Sequence, residues 1–354
     1  MKRLGPAGLI LSLLFIWPGI AEPRVVGLCN GCHTMHNSQD DKSSMLAGTG
    51  PVQALLRNNC LGCHTGTNSG TFDSTIDKAP RVLQTTLPEY GTTGTEGTAT
   101  TLAGGNFYWT IASDVSGHNV ANINDTVTTA PGGALNSPLN CAGSSGCHGD
   151  RSKADEYAAI YGGHHNNDAS AYKNGATVAE SYRFLLGVKG KEDTTYEFRP
   201  VSTVNHNKYY GVDRASEADS AGTISSLCGQ CHGDFHHGGG SNIASGTFGD
   251  GVWFRHPTDF DMGDAQSSSE YLKYNGGTGA NNPYSVIAPV ATTSQTTDLN
   301  STATVSSAAG QAIIMCLSCH RAHGTPNNDI LRWNYRAWPG GGYNGCNICH
   351  SVKN

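Results

Sequence analysis

The chain has 354 residues, of which only 37 % are hydrophobic while 46 are glycine, so aliphatic side chains alone would build a small core for a chain of this length. Charged residues are 14 %, too few for disorder driven by charge repulsion, and a formal net charge of −6 offers no basic face to nucleic acid. Large flat cofactors would supply the missing apolar surface.

In chain order, the first feature is a secretory signal. Lys2 and Arg3 precede a short apolar run over residues 9–16, and Gly19 and Ala21 provide small residues before a cleavage point after Ala21. The run is too short to anchor the chain, and Pro18 follows just beyond it. Residues 1–21 are therefore expected to leave, and residues 22–354 to form one exported domain without a membrane span. The expected location is extracellular or at the cell surface, reached through the periplasm.

The twelve cysteines follow as six pairs, each closed by a histidine. Five are CxxCH: Cys29 and Cys32 with His33, Cys60 and Cys63 with His64, Cys228 and Cys231 with His232, Cys316 and Cys319 with His320, and Cys346 and Cys349 with His350. The third in order is stretched, with Cys141 and Cys147 flanking five residues before His148. Two thiols one helical turn apart can add across the two vinyl groups of a haem, which brings the next residue under the iron as proximal ligand. A disulfide framework or paired zinc sites would leave the six adjacent histidines unexplained. Six haem c groups are expected. The loop of the stretched motif, residues 142–146, is small and flexible enough to bulge while its cysteines keep their separation.

Nine histidines remain for the opposite face of the irons: His36, His118, His164, His165, His206, His236, His237, His256 and His323. His36 and His323 follow a proximal histidine by three residues, and His236 follows one by four. Such spacing puts both rings on one side of a helical turn and two haems in close approach. His118 and His256 sit in turn-rich surroundings that suit a ligand. His164 and His165 are adjacent, so one of the two is expected to ligate. His206 and His237 are expected to be spare rings that hydrogen-bond propionates. Met35, Met45, Met262 and Met315 read as packing residues.

Closely spaced motifs lie at both ends of the chain, with longer excursions between. Helical patterns cover residues 52–59, 154–161 and 178–186, and Thr/Ser/Gly-rich tracts at 91–101 and 292–307 read as loops. Sequons at Asn124 and Asn300 are weak motifs. The expected fold is a multihaem c-type cytochrome, mostly coil with short helices around a linear haem chain and little or no sheet.

The wording of the motifs is more specific still. CNGCHTMHNS, GHNV followed by TAPGG, YRFLLG, CGQCHGDFH, RHP, CLSCHRAH and CNICH occur in that order. The chain thereby resembles the OmcS-like extracellular hexahaem cytochromes, the cytochrome nanowire family. The resemblance implies a head-to-tail homopolymer that passes electrons between redox partner cytochromes and extracellular acceptors. It also implies that His36 ligates the haem held by Cys316, Cys319 and His320 of the neighbouring subunit. The chain departs from the family at the stretched third motif, which has no histidine three or four residues on, so His164 or His165 is expected to supply a ligand from that region. A discrete soluble shuttle would need the same haems without a polymer. An enzyme would need an iron left open, and the spare histidines suffice to close every site.

Overall fold

The structure is a computed structural model. It describes residues 29, 32–33, 55–56, 59–68, 79–90, 100–124, 138–165, 171–193, 206–213, 221–232, 258–262, 274–275, 282–294, 304–305, 312–337 and 345–350. The leader at 1–21, His36, His236, His237, His256, Met35, Met45 and Asn300 lie outside these residues.

Helices among the described residues are single turns, and most are built on the cysteine motifs. They are α1 (Cys60–His64), α2 (Glu156–Ala159), α3 (Ile224–Gly229), α4 (Cys316–Cys319) and α5 (Cys346–Cys349). The reason is local. In four CxxCH motifs the histidine amide donates to the first cysteine's carbonyl: His33 to Cys29 at 2.8 Å, His232 to Cys228 at 2.9 Å, His320 to Cys316 at 3.0 Å and His350 to Cys346 at 2.8 Å. That is one turn of α-helix, just long enough to bring both thiols to one side.

Caps stop these turns from unwinding. Asn59 Oδ1 accepts from Gly62 N–H at 3.2 Å ahead of α1, and Thr223 Oγ1 accepts from Ser226 N–H at 3.0 Å ahead of α3. The Cys316 amide at the start of α4 donates to Ser225 Oγ of α3 at 3.2 Å, so one turn caps the next. A helix this short is unstable alone and depends on such partners.

The patterns over 52–59, 154–161 and 178–186 do not become helices of that length. Leu56 forms a bridge with His33, and Leu55 has φ 57°. Only Glu156–Ala159 is helical in the second stretch. In the third, a 3₁₀ turn over Tyr182–Phe184 carries Arg183 at φ 48° and Phe184 at φ 60°. Glu192 holds that turn open, accepting from the Arg183 amide at 2.6 Å and pairing with its guanidinium at 3.3 Å.

Strands among the described residues are two or three residues long: β1 (Thr65–Gly66) pairs in parallel with β2 (Leu83–Gln84), and β3 (Asn140–Ala142) with β4 (Gly146–His148). The three-stranded antiparallel sheet joins β5 (Tyr172–Lys173), β6 (Gly190–Lys191) and β7 (Lys208–Tyr209), with Gly190 opposite both Lys173 and Tyr209. Thr304–Val305, inside a tract read as loop, pairs antiparallel with Asn282–Pro283. Ile313–Ile314 pairs likewise with Phe260–Asp261.

The core is divided. One cluster gathers Tyr182, Leu185, Val188, Tyr209, Ile224, Ala291, Ile313, Met315 and Leu317; a second holds Met262, Tyr274, Tyr284, Val290, Val305 and Ala312. Met262 and Met315 are thus buried packing residues. Polar ties join segments far apart in sequence. Buried Arg321 donates to Tyr90 Oη at 3.0 Å, to Leu102 O at 2.9 Å and to Ala103 O at 2.6 Å, and Tyr90 Oη donates to Arg332 O at 2.9 Å.

These ties force one very close backbone approach. Gly105, at φ +84°, lies where a Cβ would collide with the Gly324 carbonyl, which accepts from Asn106 N–H at 2.9 Å. Gly105→Ala is expected to destabilise the protein by about 1–3 kcal/mol, read as a lower thermal midpoint at unchanged haem content.

Candidate haem sites

All twelve cysteines fall within the described residues, and none is in a disulfide. Four of the histidines that follow them face another histidine. His33 and His165 stack with ring centres 6.2 Å apart; His64 and His164 lie at 6.4 Å, His148 and His323 at 6.3 Å, and His118 and His232 at 6.1 Å.

This narrow range has a chemical meaning. A metal–imidazole nitrogen bond is about 2 Å, and the ring centre lies about 1 Å further, so rings on opposite sides of one metal are about 6 Å apart. Two imidazoles sharing a tetrahedral ion would approach to about 5 Å. The observed pairs fit a planar macrocycle between them.

The hydrogen bonding agrees. His64 Nδ1 meets Pro80 O at 2.9 Å, His118 Nδ1 meets Ala322 O at 2.7 Å, His148 Nδ1 meets Arg183 O at 2.9 Å and His320 Nδ1 meets Asp329 O at 2.7 Å. A carbonyl can only accept, so Nδ1 carries the proton and Nε2 keeps its lone pair for a metal. Burial keeps these rings neutral: it lowers His118 and His148 from the ordinary imidazole value, and pushes His164 down to about 4 and His323 to about 3. The residues present fit c-type haem.

The adjacent rings of His164 and His165 face different motif histidines, His64 and His33, because the turn over residues 161–165 splays them apart. The Gly163 amide donates to Ile160 O at 2.9 Å within this turn, and His164 packs against Phe184 with ring centres 5.1 Å apart. His323 faces His148 of the third motif, and His118 faces His232 of the fourth. His206 is buried and engaged: Nδ1 bonds to Asn207 O at 2.7 Å, Lys208 Nζ donates to Nε2 at 2.7 Å, and Tyr284 stacks on it at 3.5 Å. Both of its ring nitrogens thus have protein partners.

The motifs also touch one another in chain order. Cys60 and Cys141, with Glu156, have their ligand atoms within 4.8 Å. Arg151 bonds to Gln230 Oε1 and reaches Cys231 Sγ at 4.0 Å, while also acting on Cys147. The Cys228 and Cys316 thiols lie against each other. Cys319, Cys346 and Ile348 pack on the small cluster of Ile287, Ala288 and Trp333. Sequence alone pairs none of these thiols, since they belong to different motifs.

Residues 308–354 match the family model described as doubled CXXCH motif. The C-type cytochrome OmcS of Geobacter sulfurreducens (strain ATCC 51573 / DSM 12127 / PCA) is 26 % identical over 377 residues, covering 89 % of this chain and 79 % of the relative. Among solved structures, the OmcS nanowires from Geobacter sulfurreducens determined by cryo-EM align with TM-score 0.50 and 22 % identity, covering 88 % of this chain and 84 % of that one. The Outer Membrane Cytochrome S filament from the same organism aligns with TM-score 0.48 and 23 % identity over the same shares. The chain is OmcS-like in sequence and in fold, and no described helix is long and apolar enough to cross a membrane.

Two outcomes are expected from this geometry. His164→Ala and His165→Ala should each convert one haem, and a different one, from low-spin to high-spin, with the double variant additive by electron paramagnetic resonance. An unchanged spectrum in either single variant would remove that ring from the ligand set. The second concerns pH. His164 and His323 have folded values below the ordinary 6.5, so the unfolded chain takes up protons first as pH falls. In the haem-free chain this stability is fully present above about pH 6.5 and is lost progressively toward about 4 for His164 and about 3 for His323. Denaturation midpoints of the haem-free chain should therefore agree at pH 7 and 8 and drop at pH 5.

Proposed function

We propose that this protein is a secreted hexahaem electron conduit whose copies join head to tail into a conducting filament. The observation that carries the reading is the set of four imidazole pairs at 6.1–6.4 Å, joined in chain order by cysteines of neighbouring motifs. Bound haem supplies reversible one-electron chemistry at each iron. The chain's own part is to attach, ligate and space these groups.

The assignment within one copy follows the pairs. Cys29, Cys32 and His33 work with His165; Cys60, Cys63 and His64 with His164; Cys141, Cys147 and His148 with His323; Cys228, Cys231 and His232 with His118. Cys346, Cys349 and His350 take a ring from the His236–His256 region. With His164 and His165 both used, one fewer ligand is needed from that region than the sequence suggested. Direct juxtaposition of the motifs would keep successive transfer steps short. Saturation of the irons by histidine argues for electron transfer rather than catalysis.

The fifth site supports the polymer. His320 is exposed, its Nδ1 is fixed by Asp329 O at 2.7 Å, and among the described residues no imidazole faces it at the spacing of the other pairs. A ring supplied by the next copy, His36 in the OmcS-like arrangement, would complete it. Such a contact joins unlike surfaces and does not close, so it propagates. The proposed destination is the extracellular space, and the proposed partners are redox cytochromes and external electron acceptors.

Cryo-electron microscopy of material sheared from the cell surface tests the whole reading. Filaments with a continuous haem line and six haems per copy are expected. His36→Ala should abolish the filaments and leave one haem high-spin. Persistent filaments with every iron six-coordinate would overturn the intersubunit assignment, and dispersed native copies would favour a soluble shuttle.

A further inference from the structure

The third motif cannot use the local device that organises the others. At a CxxCH site the histidine amide returns to the first cysteine's carbonyl and closes a helical turn, but five residues between Cys141 and Cys147 make that closure impossible. The backbone forms two short parallel strands instead, β3 (Asn140–Ala142) and β4 (Gly146–His148). The Gly143 amide donates to His148 O at 3.1 Å, the Gly146 amide to Gly143 O at 2.9 Å and the Asn140 amide to Ser145 O at 2.8 Å.

The loop is tightly built rather than free to bulge. Gly143 has φ +84°, and a Cβ there would meet Lys153 O at 2.8 Å; one on Gly146 would meet Ala142 N at 2.6 Å. The Ser144 amide donates to Lys153 O at 2.7 Å, which moors the loop to the turn before α2.

Two amides of the first strand, those of Cys141 and Ala142, find one acceptor. Glu156 Oε1 takes Cys141 N–H at 2.8 Å and Ala142 N–H at 3.3 Å. Charge-assisted bonds of this kind are stronger than neutral ones. Glu156 is itself held at the first position of α2, where Asp155 caps the Ala158 amide at 2.8 Å and the Ile160 amide donates to Glu156 O at 3.2 Å. Its carboxylate lies with the Cys60 and Cys141 sulfurs in the 4.8 Å cluster, at the meeting point of the second and third motifs.

We infer that Glu156 is the positioning residue of the stretched attachment site, fixing the Cys141 backbone so that Cys141 and Cys147 present their thiols to the same haem. The inference rests on the haem reading of this motif. Attachment adds each S–H across one vinyl C=C, sulfur to one carbon and hydrogen to the other, with no external oxidant or reductant. A thiol held out of reach leaves its vinyl group conjugated with the macrocycle.

Peptide mass spectrometry of the purified holoprotein, with its pyridine haemochrome spectrum, tests this. In the native protein Cys141 should be fully attached. Glu156→Ala should leave Cys141 free in most molecules while the other eleven cysteines stay attached, and the haemochrome band should move to longer wavelength. Glu156→Gln keeps an oxygen acceptor at the same reach and should restore attachment. Complete attachment of Cys141 in Glu156→Ala, or equal loss in the alanine and glutamine variants, would overturn the inference. A free Cys141 in the native protein would instead overturn the two-thioether reading of the site.

Deleting residues 143–145 gives a regular CxxCH spacing and covers the case in which Glu156→Ala does not accumulate. In that background attachment should be the same with glutamate or alanine at 156, because the helical turn closes itself. Loss that persists with regular spacing would also overturn the inference.

Discussion

Facing imidazoles held a haem's thickness apart are the constraint on which the rest of the structure depends. Each ring must be neutral, must keep Nε2 free and must hold its orientation. A carbonyl on Nδ1 meets the last two requirements at once. The carbonyls come from Pro80, Arg183, Ala322 and Asp329, in segments that are loops or single turns. Regular helix or sheet would already have used those oxygens. The unusual φ values at Arg183 and Asp329 follow from the same need, since each residue turns its own carbonyl toward a histidine.

The divided core has the same origin. Single-turn helices and two-residue strands bury too little to stabilise one another. Buried side chains accordingly gather in small clusters, and buried arginines span the spaces between segments. Arg321 and Arg332 do this through backbone carbonyls: Arg332 donates to Leu317 O at 2.7 Å and His320 O at 3.1 Å, bracing the turn that carries the fifth proximal histidine. Covalently held haem would add the continuous apolar surface that a 37 % hydrophobic sequence lacks.

Contact between motifs turns separate attachment sites into a series. Ser225 of α3 caps α4, and the Cys228 and Cys316 thiols meet at that junction. Glu156 stands at the junction of Cys60 and Cys141. The same side chains that stabilise a short turn would thereby set how closely two haems approach, so that under the proposed function folding and conduction would share their contacts.

The sequence by itself determined the attachment chemistry. A thiol pair followed by histidine is a local instruction: its spacing defines one helical turn, and the turn places both thiols and the imidazole. The local spacing of His320 and His323 was legible in the same way. What only the tertiary structure decided is which ring faces which, because His118 reaches His232 and His323 reaches His148 through chain excursions whose course no local pattern encodes. That His164 and His165 face different motif histidines was hidden for a related reason, since neighbouring side chains diverge or converge according to the turn beneath them. The helical patterns at 52–59 and 178–186 misled because hydrophobic periodicity records burial, and here burial is set by contacts that force Leu55, Arg183 and Phe184 out of the helical region. The role of Glu156 was invisible as well: an exposed-looking carboxylate in a polar segment has no signature until folding sets two strand amides in front of it.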